Sequence, residues 1–100
     1  MKLLKDIIYG ISIREIKGNT NIAVDNVSFD SRNVSGLSLF IAIKGTNVDG
    51  HNFIDVAENN GVCGIICENL PKELSSNITY IKVPDSSEAM AIIASNYNDN

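Results

Sequence analysis

The chain has a single histidine and only two cysteines in 100 residues, and those scarcities exclude much chemistry. His51 stands alone and has no neighbouring relation to Ser31, so a Ser-His-acid hydrolase finds no support. If Cys63 and Cys67 share a strand, their four-residue separation spans about 13 Å, beyond the roughly 7 Å limit for a disulfide. Reduced, half-buried thiols are therefore expected. No further cysteines or histidines complete a metal-ligand set, so no metal site is expected. Basic residues are also scarce, eight Lys and Arg against twelve Asp and Glu, for a formal charge of −4. That balance disfavours nucleic-acid partners, which need a basic face. It does not disfavour a small anionic ligand, because local N–H groups decide that. There is no hydrophobic run of signal-peptide or membrane-spanning length; Lys5, Asp6, Arg14 and Glu15 interrupt the most apolar stretch. A soluble, cytoplasmic protein with no membrane partner is the expectation. Neither a Gly-x-x-x-x-Gly-Lys-Ser/Thr phosphate loop nor a Gly-x-Gly-x-x-Gly turn occurs. Asp30 and Asp49 are a formal acid/base pair with nothing to fix their separation. The chain reads as binding groups without a reaction centre.

What is present suits one small α/β domain. An apolar fraction of 44% and a charged fraction of 20% are those of a globular chain. Leu3, Leu4, Ile7 and Ile8 predict a helix over 2–9, stopped by Gly10. Ile11, Ile13 and Ile16 suggest a brief extended segment closed by Lys17-Gly18-Asn19. Residues 22–32 carry strand character, with Val27, Phe29 and Ser31 on one face and Ser28, Asp30 and Arg32 on the other. Leu39 to Ile43 and Val62 to Cys67 are near-continuous apolar runs, the mark of strands covered on both faces. Residues 52–60 look helical with Gly61 as a stop, and 78–83 form a further strand. Asp85-Ser86-Ser87-Glu88 is a capping-box pattern opening a helix to about residue 97. Asn98-Asp99-Asn100 is polar and reads as the start of a linker. Alternating strands and helices imply an α/β sandwich with a small sheet of about four to five strands and flanking helices.

Three polar groups stand out. In Asp30-Ser31-Arg32, the plain reading is a surface ion pair between Asp30 and Arg32 with Ser31 ending a strand. The functional reading gives Ser31 a hydroxyl contact to a ligand. Lys44-Gly45-Thr46-Asn47-Val48-Asp49-Gly50 is either a polar strand-to-helix loop or a backbone-lined clamp. A planar base with an imide N–H and two carbonyls, such as uracil, suits such a clamp. His51, with Asn52 and Phe53, is expected to cap or orient the helix that follows.

In their order and spacing these residues resemble the N-terminal domain of the Mur ligases, the ATP-dependent amino-acid-adding enzymes of peptidoglycan synthesis. The matching features are Asp30-Ser31-Arg32, Gly36 to Ala42, Lys44-Gly45, Asp49-Gly50-His51-Asn52-Phe53-Ile54, Ala57, Gly61-Val62 and Ile65-Ile66-Cys67-Glu68. The pattern is most similar to the members that add a diamino acid, meso-diaminopimelate or L-lysine, to UDP-N-acetylmuramoyl-L-alanyl-D-glutamate. The resemblance implies that residues 1–100 hold the UDP end of that substrate. It implies uridine contacts at Phe29, Ser31, Thr46, Asn47 and Val48, supported by Asp30, Arg32, Lys44, Gly45, Asp49, Gly50 and His51. It also implies that ATP and Mg2+ belong to a central domain, and the amino acid to a C-terminal domain, neither present in this chain. On that basis this chain binds no cofactor and is non-catalytic alone, while the full-length parent forms an amide bond. Two positions depart from the family pattern: Ser38, where Asp is common, and Phe29, bulkier than the usual aliphatic residue. The alternatives are the first domain of the D-Ala-D-Ala-adding Mur ligase, or a free-standing interaction module.

Overall fold

A computed structural model of the chain describes residues 1–98. Asp99 and Asn100, on which part of the linker expectation fell, lie outside the described residues; Asn98 is the last residue of the closing helix.

The N-terminus departs from the sequence expectation. Lys2–Leu3 form strand β1, and only Leu4–Ile7 are helical, as α1. The cause is pairing: β1 runs antiparallel to β3 (Ala23–Val24), with Lys2 opposite Val24 and Leu3 opposite Ala23. Helical spacing in a short segment yields to a tertiary partner. Leu4 and Ile7 still point into the core, as their spacing requires.

The main sheet has five strands: β2 (Glu15–Lys17), β4 (Asn26–Ser28), β5 (Ser38–Ile41), β6 (Gly64–Cys67) and β7 (Thr79–Lys82). Their order is β2-β7-β6-β5-β4, parallel from β4 through β7, with β2 antiparallel on the β7 edge. A 3-10 turn over Gly50–Phe53 leads into α2 (Ile54–Asn59), which Gly61 ends in the left-handed region at φ +85°. The last helix, α3, spans Ser86–Asn98. Asp85 caps it as expected, its Oδ1 accepting from the Ser87 and Glu88 amides at 3.0 and 3.1 Å.

The uninterrupted apolar runs are explained by two cores, one on each face of the sheet. Leu39, Ile41, Ile66 and Ile81 pack with Leu4, Ile7, Ala89 and Ile93 beneath α1 and α3. Phe40, Ala42, Ile65, Cys67 and Tyr80 point the other way and pack with Ile54 and Ala57 of α2. Cys63 and Cys67 are both free thiols, the first half-buried and the second buried.

The strand expected over 22–32 is replaced by two short ones in different sheets, β3 and β4, and the chain leaves the sheet at Ser28. Phe29 and Ser31 therefore do not continue the Val27 face; residues 29–32 form a turn instead. Ser38 keeps an acceptor at this edge: its Oγ accepts from the Ser35 amide at 2.9 Å and from Asn26 Nδ2 at 3.1 Å. Because β4 and β5 are parallel, with Ser28 beside Phe40, the segments that follow them emerge at the same end of the sheet. Ligands of open parallel sheets sit outside the carboxyl ends of the strands, and the candidate site lies there.

Candidate functional site

The first wall of the site is the turn after β4. Ser28 Oγ accepts from the Asp30 amide at 3.0 Å, and the Asp30 carbonyl accepts from the Asn33 amide at 3.0 Å. The Asp30 carboxylate takes the Arg32 amide, Nε and Nη2, each at 3.0 Å, and Asn33 Nδ2 at 3.2 Å. Arg32 beside it holds the Asp30 carboxyl below its usual range. This pair is local and solvent-exposed, so it shapes the turn and is not poised as an acid or a base. Here the plain reading of Asp30 and Arg32 holds.

Ser31 is different. It is only 6% exposed, although the turn around it is open. Its carbonyl accepts from Asn60 Nδ2 at 2.9 Å, which ties the turn to the C-terminal end of α2. Among the described residues no protein group hydrogen-bonds the Ser31 hydroxyl.

The second wall is a miniature hairpin after β5. The Gly50 amide donates to the Ile43 carbonyl at 2.7 Å, the Gly45 amide to the Val48 carbonyl at 3.0 Å, and Lys44 lies opposite Asp49. Gly50 is dictated by close approach: a Cβ there would lie 2.7 Å from the Ile43 nitrogen and 3.0 Å from its oxygen. The Gly45 and Gly50 amides are thus consumed within the hairpin. The amides of Thr46, Asn47 and Val48 at its tip make no protein hydrogen bond among the described residues.

His51 anchors the hairpin from behind. Asp49 Oδ1 accepts from the His51 amide at 3.0 Å and faces His51 Nδ1 at 2.7 Å. His51 Nε2 in turn accepts from the Glu68 amide at 2.8 Å. A backbone amide can only donate, so Nε2 carries the lone pair and the proton sits on Nδ1, facing Asp49. The two His51 N–H groups hold the Asp49 carboxyl below its usual range. The expected cap falls elsewhere: Asp49, accepting from the His51 amide, caps the 3-10 turn, and α2 has no side-chain cap, while His51 itself joins Asp49 to Glu68.

Between the walls lies a cleft of about 640 Å³ lined by Phe29, Asp30, Ser31, Arg32, Ile43, Val48, Gly50, Phe53 and Val56. Of the residues singled out in the sequence, it brings together Phe29, Asp30, Ser31, Arg32, Val48 and Gly50. Thr46 and Asn47 occupy the hairpin tip but do not line the cleft, and Lys44, Gly45, Asp49 and His51 lie behind it. The sequence reading missed Ile43, Phe53 and Val56. A signal was available for two of these. Ile54 and Ala57 already supply the core face of α2, so Phe53 and Val56, spaced i, i+3, form a second apolar stripe that the core does not use.

Chemically, the cleft offers two aromatic rings and aliphatic walls, with the Ser31 hydroxyl and, from the hairpin tip, Val48 at its edge. That set can enclose a planar ring and pair with its polar edge. Among the described residues there is no group of three or more His, Cys, Asp or Glu side chains placed to hold a metal ion. Nor is any helix among the described residues long and apolar enough to cross a membrane.

Residues 23–98 match the model of the Mur ligase family, described there as its catalytic domain. The UDP-N-acetylmuramoyl-L-alanyl-D-glutamate–2,6-diaminopimelate ligase of Cytophaga hutchinsonii is 42% identical over 98 residues, which are 97% of this chain and 20% of that protein. A ligase of the same name from Clostridium acetobutylicum is 42% identical over 97 residues, with the same coverage. This chain therefore spans about a fifth of the length of the curated relatives it matches. Among solved structures, MurF from Acinetobacter baumannii superposes with a TM-score of 0.64 at 26% identity, over 73% of this chain and 15% of that one. MurF from Thermotoga maritima, solved with ADP, gives 0.60 at 32% identity over 71% of this chain and 16% of that one. The expected α/β fold and the family resemblance are both confirmed: this chain belongs to the Mur ligase family.

Proposed function

We propose that the cleft receives the uracil end of UDP-N-acetylmuramoyl-L-alanyl-D-glutamate. In this reading residues 1–100 are the N-terminal, UDP-binding domain of a ligase that adds a diamino acid to that substrate in peptidoglycan synthesis. The observation that carries the proposal is Ser31: a nearly buried residue whose hydroxyl makes no protein hydrogen bond among the described residues, in the lining of a cleft walled by Phe29, Ile43, Phe53 and Val56. A uracil ring fills such a slot by stacking on apolar walls, while its imide edge meets the hydroxyl and the free amides of the Thr46-Asn47-Val48 tip. The hairpin's own bonding leaves those tip amides open, which favours recognition through the backbone over recognition through the Thr46 and Asn47 side chains.

The relatives quoted above carry 2,6-diaminopimelate in their names, which supports that diamino acid and the third-residue-adding enzyme over the D-Ala-D-Ala-adding one. The MurF superpositions reflect a shared fold at lower identity. ATP and Mg2+ would be held by the central domain of the longer protein, and the reaction would take place in the cytoplasm. This domain would then act by positioning. Binding energy at the uridine end would hold the glutamate carboxylate where it is phosphorylated, far from the contact itself.

The test is Ser31→Ala in the full-length ligase. KM for the UDP-substrate should rise about three- to tenfold, the effect of one lost hydrogen bond, with KM for ATP unchanged. An unaltered KM for the UDP-substrate would remove Ser31 from the site.

A further inference from the structure

A series of hydrogen bonds lies behind the hairpin, running from Lys44 to Asp49, which stand opposite each other, and joins residues from three separate parts of the chain. Ser86, fully buried at the start of α3, accepts the Lys44 amide on its Oγ at 3.0 Å. The same hydroxyl donates to Glu68 Oε2 at 2.9 Å, and the Ser86 amide donates to that oxygen at 2.8 Å. The Glu68 amide donates to His51 Nε2, and His51 Nδ1 reaches Asp49, which stands opposite Lys44 across the hairpin. Both strands of the hairpin are thus held from below, one through Ser86 and one through His51, and the two holds meet at Glu68. The cleft lining includes none of Lys44, Asp49, Glu68 and Ser86.

From these bonds we infer that Glu68 and Ser86 are positioning residues for uridine-end recognition, setting the height of the Thr46-Asn47-Val48 tip over the cleft. The inference rests on the uridine reading of the cleft. A hairpin with two cross-chain bonds and an exposed tip has little rigidity of its own. Its tip amides can be held ready for a ligand only if the base is fixed, and preorganisation of this kind shows in binding rather than in chemistry. Ser86 suits the task because its hydroxyl accepts from Lys44 and donates to Glu68 at once, using both of its capacities.

The experiment uses the full-length ligase with Ser86→Ala, Glu68→Gln and Ser31→Ala in parallel. Steady-state constants for the UDP-substrate and for ATP, and the melting temperature, are measured for each. Glu68→Gln keeps one acceptor oxygen for both Ser86 bonds while removing the charge and replacing the other oxygen with an NH2 donor, so it is the milder variant and guards against misfolding. Ser86→Ala should raise KM for the UDP-substrate about three- to tenfold and leave kcat and KM for ATP unchanged. Glu68→Gln should shift the same constant by a smaller factor. If Ser31→Ala raises that KM while Ser86→Ala and Glu68→Gln leave it unchanged, the positioning role is overturned and the uridine reading stands. If all three leave it unchanged, the uridine reading falls and the positioning role with it. A lowered kcat with KM raised for both the UDP-substrate and ATP, in parallel with a lowered melting temperature, would mark these bonds as general scaffolding and overturn the inference.

Discussion

Asn60 Nδ2 donates a 2.9 Å hydrogen bond to the backbone carbonyl of Ser31, across 29 residues of sequence. The C-cap of α2 thereby tethers the turn that carries Ser31, while Phe53, just before this helix, and Val56, within it, add to the cleft walls. Replacing Asn60 with Ala should cost about 1 kcal/mol of stability and loosen the turn. In the full-length ligase, KM for the UDP-substrate should rise in step. Urea unfolding and steady-state kinetics check the two effects, and a variant with unchanged stability and KM would show that the tether does not set the site.

Gly50→Ala should be more damaging than its size suggests. The added methyl would meet the Ile43 nitrogen at 2.7 Å, and the atoms in the way are backbone, which cannot swing aside. The neck of the hairpin must open, at a cost of about 1–3 kcal/mol. A lowered urea midpoint with an unchanged slope is the expected result.

Ile41→Asp should prevent folding. Ile41 lies on β5, flanked by β4 and β6, and is 1% exposed within the core beneath α1 and α3. A carboxylate there has no partner, so the loss should exceed about 4 kcal/mol. A dispersed amide spectrum from this variant would contradict the two-core description.

Stability should also fall on the alkaline side. Burial pushes the Cys67 thiol from 9.0 up to about 11, and burial together with the Glu58 carboxylate pushes Tyr80 from 10.0 up to about 12. The folded state favours the neutral form of both. Their contribution is therefore complete below pH 9 and is lost as the pH climbs through 9 to 12. Cys67→Ala should remove part of that slope, and urea midpoints at pH 8 and at about pH 10.5 measure it. On the acid side the signs reverse. Asp49 is depressed below 3.8, so its contribution is present above that value and fades as the pH falls past it.

Much of the fold was legible because it depends on local or periodic signals. The Leu39–Ile43 run required two covered faces, Asp85 announced the start of α3, and Gly61 ended α2. What was not legible depends on partners distant in sequence. Lys2 and Leu3 became a strand only because Ala23 and Val24 lie beside them. Strand β4 stopped at Ser28 because Ser28 and Asp30 bond to each other and bend the chain, which alternation of residue types does not reveal. The site divided along the same line. Of the residues that line the cleft, Phe29, Ser31, Val48 and Gly50 were singled out by their order in the chain. Ile43, Phe53 and Val56 enter through packing, and Asn60, Glu68 and Ser86 through side-chain bonds that no spacing encodes.

A two-dimensional amide NMR titration with UDP asks whether the uridine site is built within this chain. Shifts should cluster on Phe29 to Arg32, on Lys44 to Gly50 and at Phe53, with little change along β2 and α3. Shifts centred elsewhere, or none at millimolar UDP in either this chain or the full-length ligase, would contradict that placement.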